Sequence, residues 1–224
     1  MKKINIAIDG VAGSGKSTVA RLVAENLGYT YIDTGSMYRC VAYLLVKNNV
    51  NPSNENEFKE LLYNNYDYKY ENYRVIFNNE DVTLKIRSNE VNEMLPHIVA
   101  VPFVRKFLVE KQQKMGEEKG IVMDGRDITS VVLKDAELKI YQTATIKSRA
   151  DRRYKENIEK GINSNYEEIY KNLETRDYTD KFVSKALVKV EDAIELDTTN
   201  MSIDEVVKTI LELAKKKVKE WSRQ

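Results

Sequence analysis

One cysteine (Cys40), one histidine (His97) and one tryptophan occur in 224 residues, with only three prolines and nine glycines. A single cysteine excludes an internal disulfide framework and a cysteine-based zinc site. With a single histidine beside it, a Cys/His nucleophilic pair is a poor reading, and both are taken as ordinary core or surface residues. Neither sign of charge is in excess: 36 Lys+Arg against 35 Asp+Glu leave a formal net charge of +1. That balance argues against a general nucleic-acid or membrane-surface binder. No apolar run approaches a membrane span. The run at 4–8 is also too short for a signal-peptide core, and Asp9 ends it. A soluble, cytoplasmic protein is expected, with no nucleic-acid or membrane partner. The apolar share of 42% is enough for a core, and the length suits one domain with or without an insertion.

Short apolar runs at 4–9, 29–33, 120–124, 138–141 and 193–196 read as buried strands. Helical spacing fills much of the chain between them. Val19, Ala20, Leu22, Val23 and Leu27 set a helix over 17–27 that Gly28 stops. Further helices are expected over 37–47, 147–160 and 165–180. A long helical region over 90–119 carries Pro96 and Pro102 as breaks. The last helix begins at Ser202, where Glu205 completes a capping box, and runs toward Trp221. Strands alternating with helices imply a parallel α/β sheet of five strands flanked by helices. Residues 48–56 read as a polar break. Tyr66, Tyr68 and Tyr70 alternate with polar residues, and 74–77 followed by 82–84 around an Asn-rich turn reads as a β-hairpin. A small antiparallel insert over 60–92 is expected within a single domain, 1–224.

Gly10-Val11-Ala12-Gly13-Ser14-Gly15-Lys16-Ser17 fits G-x-x-x-x-G-K-[ST] completely, between a predicted strand and a predicted helix. Its glycines let the backbone wrap a phosphate with N–H groups pointing inward, Lys16 reaches the terminal phosphates, and Ser17 can ligate Mg²⁺. The helix start adds its positive dipole end. Nucleoside triphosphate binding follows. The chain lacks an Asn-Lys-x-Asp guanine-reading sequence and is short for a motor, so a small-molecule kinase leads. Asp124, at the end of a buried strand, can hold a Mg²⁺-bound water.

A kinase acting on a phosphate ester needs fixed arginines, because guanidinium matches phosphate bidentately. Arg39 follows the second strand, in Asp33-Thr34-Gly35-Ser36-Met37-Tyr38-Arg39. Arg126 follows the third, in Asp124-Gly125-Arg126-Asp127. Arg176 and Asp180 stand four apart on one helical face. Arg149 and Arg153, one turn apart at the start of a helical lid over 148–187, could point at the ATP phosphates.

These segments together, with Ile8-Asp9-Gly10 and Lys16-Ser17-Thr18, resemble the bacterial cytidylate kinases over nearly the whole chain. The resemblance implies a P-loop nucleoside monophosphate kinase fold with an acceptor-side insert. It also implies transfer of phosphate from ATP, with Mg²⁺, to CMP or dCMP. By motif match, Gly10 through Thr18 bind ATP, with Lys16, Arg126, Arg149 and Arg153 in catalytic roles and Ser17 and Asp124 at the metal. Arg39, Arg126 and Arg176 hold the acceptor phosphate, Ser36 lines the same pocket, Asp180 faces the ribose, and Arg105 and Asp127 lie near the cytosine. Two positions depart from the family. Pro96 stands where a serine is common, and an arginine expected shortly after Asp180 is missing from Lys181-Phe182-Val183-Ser184-Lys185. A monomer is expected. Rival readings are a P-loop kinase for another small acceptor such as UMP, an RNA-binding module stacking bases on the tyrosine-rich insert, and a non-catalytic nucleotide sensor.

Overall fold

The computed structural model describes residues 2–222. The described residues form two compact units: 2–31 with 115–222, and 32–114.

The first unit is built on parallel strands. β1 (Ile6–Gly10) pairs in parallel with β6 (Ile121–Gly125) and with β7 (Leu138–Thr143), and β7 pairs in parallel with β8 (Ile194–Asp197). With β2 (Thr30–Asp33), which runs across the division between the units, the five strands lie in the order β2-β6-β1-β7-β8. Burial on both faces explains why β1 reads as a continuous apolar run rather than an alternating one. Helix α1 (Lys16–Leu27) buries Val19, Ala20, Val23 and Ala24, the face its spacing predicts. Gly28, in the left-handed region, returns its N–H to the carbonyls of Ala24 and Glu25 and ends the helix as expected. Helix α8 (Ile203–Trp221) opens with the anticipated Ser202/Glu205 capping box and packs on α1. Helices α6 (Ile146–Glu159) and α7 (Tyr166–Tyr178) pack together, and a wide π-type turn (Thr179–Val183) follows α7.

The second unit holds α2 (Thr34–Asn48), α3 (Glu55–Asn64), β3 (Tyr68–Glu71), β4 (Arg74–Phe77), β5 (Glu80–Asp81), α4 (Asn89–Val99) and α5 (Pro102–Gly116, whose last two residues belong to the first unit). Three local expectations need correction. The break expected over 48–56 is shorter, because Phe58 and Leu62 at helical spacing bury one face of α3. The hairpin pairs β3 with β4, and the third strand is Glu80–Asp81 rather than 82–84. Two turns, Asn72–Tyr73 and Asn78–Asn79, all at positive φ, make these reversals. Pro96 lies inside α4 and does not end it, whereas Pro102 does open a helix, where its missing N–H is no loss. Among the described residues no helix is long and apolar enough to cross a membrane.

Candidate active site

The phosphate loop joins β1 to α1 in the first unit. At Gly10 a Cβ would sit 2.1 Å from the Gln142 carbonyl oxygen on neighbouring β7, so no side chain fits. Gly13 and Gly15 hold φ of +70° and +84°, a region that favours glycine. The Gln142 amide donates to the Ser14 carbonyl at 2.6 Å from a fully buried position. Lys16 begins α1 with only 6% of its surface exposed, and its Nζ donates to the Val11 carbonyl at 3.3 Å. Burial, and after it the nearby Arg126 charge, push its pKa down to about 7.

One residue further on, Ser17 Oγ donates to Asp124 Oδ2 at 2.7 Å, and Tyr31 OH donates to Oδ1 of the same carboxylate at 2.8 Å. The carboxylate is thus fixed in orientation from both sides. A hydroxyl and a carboxylate are hard oxygen donors, the set that suits Mg²⁺.

The arginines divide their work. Arg149 is 2% exposed and donates through Nη1 to the Ala12 carbonyl at 2.8 Å and through Nε to Ala144 at 2.9 Å. It also forms an ion pair with Asp177 of α7. Its guanidinium therefore ties α6 and α7 to the phosphate loop, while Ala12, Ala150 and Leu173 pack as a small apolar cluster beside it. Arg152 donates to the carbonyls of Thr198, Thr199 and Met201. Arg153, one turn from Arg149, is exposed and pairs with Glu156 on its own helix.

Arg126 follows β6 directly and donates from Nε to Asp180 Oδ2 at 2.6 Å. Desolvation, and then the charge of Arg126, lower the pKa of Arg176. Lys16 feels both arginines as repelling charges. Three cations of the first unit thus approach closely enough to repel one another, an arrangement suited to a polyanion. The backbone carbonyl of Asp127 accepts from Val131 N at 2.9 Å and opens a second wide turn, Ile128–Val132.

Ser36, Arg39 and Arg105 belong to the second unit. Ser36 is 1% exposed, its N–H capped by Asp33, and its Oγ donates to the Asp33 carbonyl at 2.7 Å. The Tyr68 hydroxyl lies 2.7 Å from the same Oγ. Arg39 Nη1 donates to the Ile86 carbonyl at 3.0 Å and to Asn92 Oδ1 at 2.7 Å. Arg105 lies on α5, half-buried. Two tyrosines of the insert face inward: Tyr68 is buried, and the Tyr66 ring meets Phe77 and Phe107 edge-on, whereas Tyr63 and Tyr73 are exposed. The inward pair serves packing rather than an open stacking platform. Cys40 is fully buried with its thiol pKa pushed up by desolvation, which suits a core residue and not a nucleophile.

Sequence reasoning singled out Asp124 and Arg149 but not the groups that orient them. Asp177 lies between Arg176 and Asp180 with no role assigned from sequence, and Tyr31 and Gln142 carry no local signal at all. Lys181 and Lys185, near the missing arginine, are both exposed.

Comparison with known proteins agrees with this geometry. A family model described as cytidylate kinase matches residues 6–216. A cytidylate kinase of Streptococcus thermophilus (strain ATCC BAA-491 / LMD-9) is 48% identical over 222 residues, covering 96% of this chain and 98% of that protein. One from Streptococcus suis (strain 05ZYH33) is 48% identical over 221 residues, with the same coverage of 96% and 98%. Among solved structures, a gluconokinase from Sinorhizobium meliloti 1021 superposes with a TM-score of 0.54 at 13% identity, covering 99% of this chain and 97% of that one. That likeness concerns the fold alone. A phosphate loop with its lysine buried at the head of α1, together with a match over almost the entire length, places this chain in the cytidylate kinase family.

Proposed function

We propose that the protein transfers the terminal phosphoryl group of ATP to CMP or dCMP, giving ADP and CDP or dCDP. The observation that carries this reading, beyond family membership, is the complete phosphate loop with Lys16 buried at the head of α1 and Ser17 bonded to the Asp124 carboxylate. Phosphoryl transfer needs positioning and charge neutralisation rather than a covalent nucleophile, so a chain with one buried cysteine and one histidine is suited to it. The loop from Gly10 to Thr18 holds the ATP phosphates, and Lys16 neutralises charge on the transferring group. Arg149, through the Ala12 carbonyl, keeps the loop in shape. Ser17 and Asp124 are the residues that would hold Mg²⁺, which when bound screens the phosphate charge. The acceptor phosphate is assigned to Arg39, Arg126 and Arg176, with Ser36 beside it. The ribose is assigned to Asp180, and the cytosine to Asp127 and Arg105. The segment 148–187 acts as the lid, closing to exclude water. The direct test is product identity: with γ-labelled ATP and CMP, label must appear in CDP. Label found only in inorganic phosphate contradicts the reading.

The state of Lys16 provides a second check. With a pKa of about 7 in the free protein, the lysine is mostly neutral at pH 8. Bound phosphates raise its pKa again, so ATP binding at pH 8 should take up about one proton per site. Calorimetry in two buffers of different ionisation enthalpy measures this. The uptake should vanish in Lys16→Met.

Asp127→Ala should weaken CMP by about 1–3 kcal/mol while sparing ATP, because a carboxylate there accepts from the cytosine amino group. Separate KM values for the two nucleotides report it. An equal loss for both assigns Asp127 a structural or metal-linked role instead.

A further inference from the structure

Asp9 is a buried carboxylate to which the scheme above gives no task. It is 0% exposed. Its Oδ1 accepts from Ile128 N at 2.9 Å, and its Oδ2 accepts from Thr129 N at 2.8 Å and from Thr129 Oγ1 at 2.6 Å. Its place in the chain gives these bonds meaning. Asp9 directly precedes Gly10, the first residue of the phosphate loop. Ile128 and Thr129 directly follow Arg126 and Asp127. The β1–β6 ladder ends at the pairing of Asp9 with Gly125, so strand pairing does not reach residues 126–129. Beyond that point the Asp9 side chain supplies the next connection between the two segments.

We propose that Asp9 is a positioning residue for the acceptor side of the site. Its carboxylate, by gripping Ile128 and Thr129, sets where Arg126 and Asp127 meet a nucleoside monophosphate. This inference rests on the phosphoryl-transfer reading. Two backbone N–H groups and the Thr129 hydroxyl converge on the carboxylate and suit its ionised form, working against the burial that raises its pKa. An amide of the same shape must turn an N–H toward one of those donors, leaving buried groups unpaired. A longer glutamate meets a site with no free surface, where added volume forces strain. The phosphate loop itself is anchored independently, by the pairing of β1 with β7 and by the Gln142 bond to Ser14. Loss of the Asp9 grip should therefore be felt by the acceptor and not by ATP. A merely structural role would instead disturb both nucleotides together.

The test is steady-state kinetics on the full chain with Thr129→Val, Thr129→Ser and Asp9→Asn. Valine keeps the shape of threonine and deletes only the Oγ1 donor. Expected for Thr129→Val is a KM for CMP raised about five- to tenfold, with the KM for ATP within about twofold of the parent. Thr129→Ser restores the donor and should restore the CMP KM. Asp9→Asn should raise the CMP KM further than Thr129→Val. An unchanged CMP KM in Thr129→Val, no recovery in Thr129→Ser, or an equal rise for ATP and CMP overturns the proposal. If Asp9→Asn does not fold, the Thr129 pair decides alone. A parent protein that fails to phosphorylate CMP overturns the phosphoryl-transfer reading and this inference with it. A working parent whose variants show no CMP-against-ATP split overturns this inference only.

Discussion

Lys16→Ala should abolish phosphoryl transfer while leaving the protein folded. The lysine sits at the head of α1, buried at 6% exposure and bonded to the Val11 carbonyl of its own loop. Its charge is the one the loop can bring to the transferring group in a water-poor site. Removing a preorganised charge of that kind costs a few kcal/mol of transition-state stabilisation, a loss of at least about a hundredfold in kcat. Folding should not suffer. The depressed pKa means that the lysine's charge disfavours the folded state below about pH 7, and this penalty fades as pH rises toward the unfolded-chain value. Circular dichroism and thermal melts check the fold, and a coupled assay checks the rate. Equal activity in variant and parent would rule out the phosphate-loop assignment.

Arg126→Lys should be nearly as severe. Arg126 is anchored by Nε to Asp180 at 2.6 Å, which fixes the plane of its guanidinium. A lysine supplies charge but neither that anchor nor a planar fork for a phosphate. The expected loss in kcat/KM for CMP is about 2–4 kcal/mol. Lys181→Ala, at an exposed position near the missing arginine, should change kcat/KM less than about threefold, as solvated charges contribute little. If Arg126→Lys is nearly silent, the segment after β6 does not hold the acceptor phosphate.

Both variants act on features legible in the sequence, and the reason is locality. The phosphate loop, its lysine and the strand-ending Asp124 lie in short segments whose chemistry requires those residue types side by side. The alternation of buried strands and amphipathic helices is likewise local, and β1, α1 and α8 with its capping box follow it closely. What escaped sequence reading is long-range. Tyr31 reaches Asp124 across 93 positions, Asp9 reaches Thr129 across 120, and Gln142 reaches Ser14 across 128. No periodicity or spacing in one chain encodes such pairs. Arg149 and Arg153 look equivalent at one turn's spacing, yet packing around Ala150 buries the first and leaves the second in solvent. The insert is antiparallel as its alternation predicts, but its register differs from the predicted one. Its first turn uses Tyr73 at a φ of 66°, a conformation that tyrosine rarely takes and that composition does not announce.

A site that phosphorylates a cytidine monophosphate must distinguish it from other nucleoside monophosphates. That distinction is tested most directly by kcat/KM across CMP, dCMP, UMP and AMP, with ATP and Mg²⁺ held fixed. The expected result is that CMP and dCMP lead and that UMP falls behind by at least about tenfold, because under the proposed assignment the Asp127 carboxylate would pair with the cytosine amino group and repel the carbonyl oxygen that uracil presents instead. Equal turnover of all four acceptors, or a preference for UMP or AMP, would contradict it.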